Sequence, residues 1–236
     1  MSYLIKNPNA KKNVFPRTSK QILNSITIDS ESLMYITHAR AADDTTRVII
    51  NSLTNYPFPR KLESTEIMNE QTWHTMSNVD KMKNLSITDI TAGAGGNVLS
   101  FAKHAKSVRA IEIDQNRYAI LGNNIRLYGF ANVTTINCDS IKWLGDNEYH
   151  SDIVFMDPPW GGRDYKKYKA LRLSIGSMYI EDIVLSLLNN KCNGVELIVI
   201  KLPNNYDFVH MKSALSSTKL NIYSMTKMTL AIVHKF

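Results

Sequence analysis

Asp157-Pro158-Pro159-Trp160-Gly161-Gly162 follows directly on the apolar run Asp152-Ile153-Val154-Phe155-Met156. An apolar strand ending in an acid, two prolines and an indole builds a rigid lip, because proline fixes its own backbone angle and restricts the residue before it. The carboxylate of Asp157 and the carbonyl of Pro158 then stand as two fixed acceptors for the hydrogens of a ring amine. Trp160 adds a plane for stacking, worth roughly 1–3 kcal/mol per base and more for a cationic one. Gly161 and Gly162 leave space for such a ring to approach. An exocyclic amine on guanine or adenine is a poor nucleophile, since its lone pair is delocalised into the ring. Acceptors around its hydrogens favour a more pyramidal nitrogen, and no strong base is needed, because the amine turns acidic once a methyl group arrives. Alignment should supply most of the acceleration, ~7–11 kcal/mol for well-oriented reactants. The plainer alternative, Trp160 as a core residue beside an ordinary turn, lacks the periodicity of a core position.

Three further strand ends offer groups suited to a nucleoside-bearing cofactor. The first is the turn Asp89 to Asn97, which contains Thr91, Gly93 and Gly95, and whose glycines let backbone pass close to a ligand before a helix starts. A glycine-rich turn alone is a weak signal, shared by dinucleotide sites and by simple strand-to-helix turns. The second is Ala110-Ile111-Glu112-Ile113-Asp114, where Glu112 can accept the hydroxyl hydrogens of a ribose and Asp114 is placed to cap the next helix. The third is Asn137-Cys138-Asp139-Ser140, where Asp139 could accept from an adenine amino group or cap the segment from Ser140. The turn has no regular GxGxxG spacing, and the fourth strand brings the amine-holding lip. Together these favour S-adenosylmethionine over a nicotinamide.

The elements that must position these residues follow a strand, turn, helix rhythm from Ser86 onward. Strands are predicted at Ser86–Thr91, Val108–Ile113, Val133–Asn137, Asp152–Met156, Val195–Lys201, Asn221–Met225 and Thr229–His234. Helices are predicted at Asn97–Lys106, Asn116–Tyr128, Tyr179–Asn189 and Asp207–Ser216. Such alternation predicts an α/β fold with a mostly parallel, doubly wound sheet of seven strands, helices on both faces and a closing antiparallel hairpin. Residues 1 to about 60 differ: they hold no glycine, and Ser30 to Leu53 has helical apolar spacing. The alternating prolines of Tyr56-Pro57-Phe58-Pro59 break that pattern, so a small helical extension over 1–60 and a catalytic domain over 61–236 are expected. Ser77 followed by Asp80 predicts a helix start leading to Lys83.

With 236 residues and 44% hydrophobic content, fibrous and disordered classes are excluded. Cys138 and Cys192 are not spaced as a metal site, and neither a zinc site nor a disulfide framework is expected. No apolar stretch approaches the ~18 residues of a membrane span, and the start lacks a signal-peptide core, so a soluble intracellular protein is expected, with a monomer favoured. The net charge is +7. Lys6, Lys11, Lys12, Arg17 and Lys20 read as a solvated face, whereas Arg163, Lys166, Lys167, Lys169 and Arg172, beside the lip, read as contacts to RNA phosphate.

At these residues the chain resembles the trimethylguanosine synthase family, RNA cap guanine-N2 methyltransferases of class I Rossmann-like fold. The resemblance runs from about Glu70 to the C-terminus. It rests on Glu70 to Ser77, the turn Asp89 to Asn97, Ala110 to Asp114, Asn123-Asn124 with Tyr128-Gly129, and above all Pro158 to Tyr165. It implies methyl transfer from S-adenosylmethionine to N2 of a 7-methylguanosine RNA cap, with no metal. It further implies that Asp89 and Glu112 contact the cofactor, with Asp139 on its adenine, and that Trp160 stacks on the cationic base. Asn124 and the Asp157-Pro158 step would surround the amine. Two positions depart from the family pattern: Asp157 stands where serine is usual, and Asn204 where a basic residue is usual. Lys201 or Arg163 would then take over the phosphate contact.

Three other readings share parts of the pattern. RNA adenine-N6 methyltransferases carry a similar acid-diproline-aromatic motif, but there it precedes the cofactor turn. Guanine-N2 methyltransferases of ribosomal RNA usually carry Tyr or Phe and lack the following Gly-Gly. A non-catalytic cap-binding module would have no need of an intact Asp89, Glu112 and glycine turn.

Overall fold

The computed structural model describes residues 3–59, 68–146, 149–190 and 194–236. Four short helices come first: α1 (Pro8–Lys11), α2 (Lys20–Ser25), α3 (Ser32–Tyr35) and α4 (Ala39–Asn51). Two more, α5 (Glu70–Thr75) and α6 (Asn78–Met82), precede the sheet. Ser77 caps α6 by accepting from the Asp80 N–H, as its position predicts. The alternating part then runs β1 (Ser86–Asp89), α7 (Gly96–Phe101), β2 (Ser107–Glu112), α8 (Gln115–Tyr128), β3 (Val133–Asn137), α9 (Ser140–Asp146) and β4 (Ile153–Met156). After a 3-10 helix at Gly162–Lys167 come the two-residue strands β5 (Ser174–Ile175) and β6 (Met178–Tyr179), then α10 (Ile180–Asn189), β7 (Leu197–Leu202), α11 (Phe208–Ala214), β8 (Lys219–Ser224) and β9 (Thr229–His234).

The main sheet has seven strands in the order β3-β2-β1-β4-β7-β9-β8. Pairing is parallel from β3 through β7, and β9 lies antiparallel between β7 and β8. The expected closing hairpin forms, with its second strand on the inside. β4, β7 and β9 are buried at every residue, as strands covered on both faces must be. Alternate residues serve opposite faces. Ile153 and Phe155 of β4, with Leu197 and Val199 of β7, join one apolar cluster, while Val154, Met156, Ile198 and Ile200 join the other.

The first cluster also takes in Val14, Phe15, Ile28, Ile49, Leu53 and Tyr56, so the N-terminal helices share a core with the sheet. Helix α4 buries Ala42, Thr45, Thr46, Ile49 and Ile50, the stripe of an amphipathic helix. It meets α7 through Thr46 and Ser100, whose hydroxyls lie 2.7 Å apart. Two lysines are buried in the same region. Lys11 donates to the carbonyls of Asn24 and Ile26, and Lys81 to those of Leu53 and Thr54, each neutralising the carbonyl end of a helix. Lys11 therefore does not belong to a solvated basic face, as its sequence grouping predicts.

Other departures are local. Helix α7 stops at Phe101 rather than Lys106, because the Lys106 N–H is taken by the Leu85 carbonyl at the head of β1. Helix α9 and the β5–β6 pair were not expected from pattern; both are too short to show a period. Trp73 is fully buried, its indole N–H donating to the Tyr56 carbonyl at 2.8 Å, and is a core residue. Cys192 lies outside the described residues.

Candidate functional site

Sheet order reverses between β1 and β4, and ligands of open α/β sheets bind outside the carboxyl ends of strands at such a point. Parallel pairing sets Asp89 beside Phe155, which brings the turn after β1 against the lip after β4. Two hydrogen bonds lock them together. The Ile90 N–H donates to the Phe155 carbonyl at 3.0 Å, and the Asp157 N–H to the Thr91 hydroxyl at 2.7 Å. Thr91 in turn donates its N–H to Asp89 Oδ1 at 3.0 Å.

Asp89 is fully buried, and its Oδ2 has no hydrogen-bond partner among the described residues. Loss of hydration pushes its carboxyl up to about 7, with repulsion from Asp157 and Glu112 adding to the rise. A buried acceptor left open in this way calls for a cationic donor, and the α-ammonium of S-adenosylmethionine is one. Glu112, also buried, accepts the Gly93 N–H on Oε2 at 2.8 Å and the Asp114 N–H and Arg117 Nε on Oε1. Oε2 keeps a lone pair for a ribose hydroxyl. Asp114 caps α8, as expected. Asp139 is exposed and accepts the Ile141 N–H at 2.9 Å on Oδ1, capping the start of α9; among the described residues no hydrogen bond to its other oxygen is formed. The donor set thus fits S-adenosylmethionine along the edge from β1 to β3.

On the lip, Pro158 is buried and Trp160 half-buried. Gly161 and Gly162 adopt φ of 87° and 73°, so glycine is required there by backbone shape as well as by space. The Trp160 ring meets Tyr165 edge-on at 5.3 Å, and the Lys201 ammonium lies 5.2 Å from its centroid. The side chain of Arg163 lies outside the described residues. Lys166, Lys167 and Lys169 are exposed beside the lip, Lys167 pairing with Asp164 at 2.6 Å. Arg172 is drawn inward, 3.4 Å from buried Glu181 and stacked on Tyr179.

Three residues named from sequence sit differently from their expected places. Asn124 is fully buried with both amide atoms committed to Thr27: Oδ1 accepts its N–H at 3.0 Å and Nδ2 donates to its carbonyl at 2.9 Å. It clamps the N-terminal segment onto α8, and among the described residues it forms no hydrogen bond with Asp157. Asn97 is buried and donates to Thr37 Oγ1 at 3.1 Å, which ties the start of α7 to the N-terminal segment. Lys201 does not reach out toward a triphosphate; it is buried, 2.5 Å from Asp157 Oδ2. Thr37, which no sequence motif marks, stands at the centre of this group. Gly96 lies so close beneath it that a Cβ there would fall 2.4 Å from the Thr37 carbonyl.

A Rossmann-like sheet with acids at successive strand ends and an acid-diproline-indole lip at its switch point defines the class: a methyltransferase. The sequence model of RNA cap guanine-N2 methyltransferases matches residues 84–232, and the chain belongs to that family. It is an S-adenosylmethionine-dependent guanine-N2 methyltransferase. A protein of Acanthamoeba polyphaga mimivirus, L320, described as uncharacterized, is 40% identical over 236 residues, covering 98% of this chain and 89% of that one. The trimethylguanosine synthase of Schizosaccharomyces pombe is 33% identical over 111 residues, which are 45% of this chain and 46% of the synthase. The chain thus spans less than half of that yeast enzyme. Among solved structures, a putative methyltransferase of Escherichia coli, yhhF, superposes with a TM-score of 0.52 at 16% identity, covering 81% of this chain and 84% of its own. A Thermus thermophilus 16S rRNA N2 G1207 methyltransferase gives 0.53 at 12% identity, over 67% of this chain and 39% of its own. Both likenesses concern the fold. Among the described residues, no group of three or more His, Cys, Asp or Glu could hold a metal ion, and no helix is long and apolar enough to cross a membrane.

Proposed function

We propose that this chain methylates N2 of the 7-methylguanosine cap of RNA, giving 2,7-dimethylguanosine and, where a second round follows, 2,2,7-trimethylguanosine. The observation that carries the reading is the meeting of Asp157, at the head of the lip that carries Trp160, with the Asp89 turn across one pair of adjacent strands. S-adenosylmethionine supplies the electrophilic methyl group. In this reading Asp89 holds the cofactor's ammonium, Glu112 its ribose and Asp139 its adenine. Asp157 Oδ1 and the Pro158 carbonyl accept the hydrogens of the amine, which turns its lone pair away from the ring. Trp160 stacks on the base, and the positive charge left by N7 methylation strengthens that contact. Lys166, Lys167 and Lys169 meet RNA phosphates.

Residues 1–60 serve as a helical extension to the domain over 61–236, closing one wall of the site through Thr37. The test is to offer labelled cofactor with 7-methylguanosine diphosphate, guanosine diphosphate, and guanine- or adenosine-bearing RNA without a cap. Transfer to the 7-methylated nucleotide at least tenfold faster than to the others is expected, with product mass counting the methyl groups. Equal transfer to unmethylated guanine would refute cap specificity.

A further inference from the structure

Asp157 and Lys201 are brought together by register. Parallel pairing sets Ile153 beside Leu197 and Phe155 beside Val199, and the same row continued by two residues sets Asp157 beside Lys201. Both project on the face occupied by the N-terminal segment, and there they meet Thr37. Lys201 Nζ donates to Asp157 Oδ2 at 2.5 Å and to Thr37 Oγ1 at 2.8 Å, while Asn97 Nδ2 donates to the same Oγ1 at 3.1 Å. An ammonium and an amide nitrogen can only donate, and a hydroxyl has two acceptor positions and one hydrogen. The Thr37 hydrogen is therefore directed to Asp157 Oδ2, 3.2 Å away. Every bonding position of that hydroxyl is used.

The consequence falls on Asp157. Its Oδ2 is held from two sides by a lysine and a threonine that are themselves buried. Among the described residues nothing donates to Oδ1. The carboxylate cannot turn without breaking both contacts, so a single oxygen is left free at a fixed place. The same ammonium also lies over the Trp160 ring, so one cation touches both the amine-holding and the base-stacking parts of the lip.

We propose that Lys201 and Thr37 are positioning residues for the reaction: together they fix Asp157 by one oxygen and present the other to the guanine amine. This rests on the reading of Asp157 as amine acceptor given above. It differs from a phosphate-binding role for Lys201, because the ammonium is turned inward and two of its three hydrogens are given to Thr37 and Asp157.

The test compares kcat and KM for N2 methylation of 7-methylguanosine diphosphate, with cofactor affinity from calorimetry, in wild type and five variants: Thr37→Val, Thr37→Ser, Lys201→Met, Asp157→Asn and the double Lys201→Met/Asp157→Asn. Misplacement of a reacting group by an ångström can lower a rate by about 100-fold, so Thr37→Val and Lys201→Met should each lower kcat by roughly 10- to 100-fold. Cofactor Kd should stay within about threefold, and Thr37→Ser, which keeps the hydroxyl, should retain most of kcat. In the Asp157→Asn background, Lys201→Met should lower kcat by no more than about twofold further, since residues acting through one another are not additive. An equal loss in both backgrounds, a rise in KM with kcat intact, or a Thr37→Val enzyme with normal kcat would overturn the proposal. Lys201→Met leaves a buried carboxylate unpaired and is the variant most exposed to misfolding; the Thr37 pair changes no charge and decides the matter by itself. If wild type prefers an uncapped guanine, the cap reading falls, and the same series run on that substrate still decides the roles of Lys201 and Thr37.

Discussion

Asp89 gives the sharpest quantitative handle on cofactor binding. Its carboxyl is raised from 3.8 to about 7 by complete burial and by two neighbouring acids, and among the described residues nothing donates to Oδ2. Because the folded-state value lies above the unfolded one, its contribution to stability is fully present below about pH 4 and is lost as pH rises through 7. That loss amounts to about 4 kcal/mol. A cation bound at Oδ2 removes the reason for the shift, so a ligand carrying an ammonium must expel the proton. Free protein is then roughly 90% protonated at pH 6 and about half at pH 7, and binding should release about 0.9 and 0.5 protons respectively. Affinity should weaken about tenfold for each pH unit below 7. The assay is calorimetric titration with S-adenosylhomocysteine, which keeps the α-ammonium, in phosphate and Tris buffers, whose different ionisation enthalpies expose the proton count. Asp89→Asn should abolish the buffer dependence. Identical enthalpies in the two buffers at pH 6 would refute the reasoning, and proton release persisting in Asp89→Asn would assign it to another acid.

Other expectations follow from single contacts. Trp160→Ala should weaken binding of 7-methylguanosine diphosphate by roughly 10- to 100-fold, the loss of one stacked base, and near-normal binding in a fluorescence or calorimetric titration would refute the stacking role. Replacing Lys166, Lys167 and Lys169 together by alanine should flatten the dependence of log affinity for capped RNA on log salt by up to about 2, at roughly 0.7 per single-strand phosphate; an unchanged slope would make them a solvated face. Gly96→Ala drives a methyl group into the Thr37 carbonyl at 2.4 Å and should destabilise the protein by about 1–3 kcal/mol, read as a lower urea midpoint. An unchanged midpoint would mean that the N-terminal segment is not packed there as described.

Much of the fold was legible because buried parallel strands are written as uninterrupted apolar runs, and Ile153 to Met156 and Leu197 to Ile200 are of this kind. Asp89 and Glu112 close the first two strands and Asp139 follows the third, so their place at one edge could be read from the order of strand and helix, although those strands mix polar residues with apolar ones. Asn124 misled because a polar residue on an amphipathic helix looks available, whereas here the N-terminal segment covers it and takes both of its amide atoms. Thr37 carried no signal: it lies 120 residues from Asp157 in a segment with no motif. Lys201 was misread because a lysine at the end of an apolar strand is expected to emerge into water. Its true position was available in principle, since aligning the apolar runs of adjacent parallel strands sets residue 201 opposite residue 157.

That row has a bearing on how relatives are compared. An acid at 157 obliges the fold to bury a counter-charge, and 201 on the next strand is where it is placed; a relative with serine at the first position has no such obligation at the second. Positions 37, 157 and 201 should therefore vary as a set, and a chain grafted at only one of them would inherit a charge or a hydroxyl with nothing to answer it.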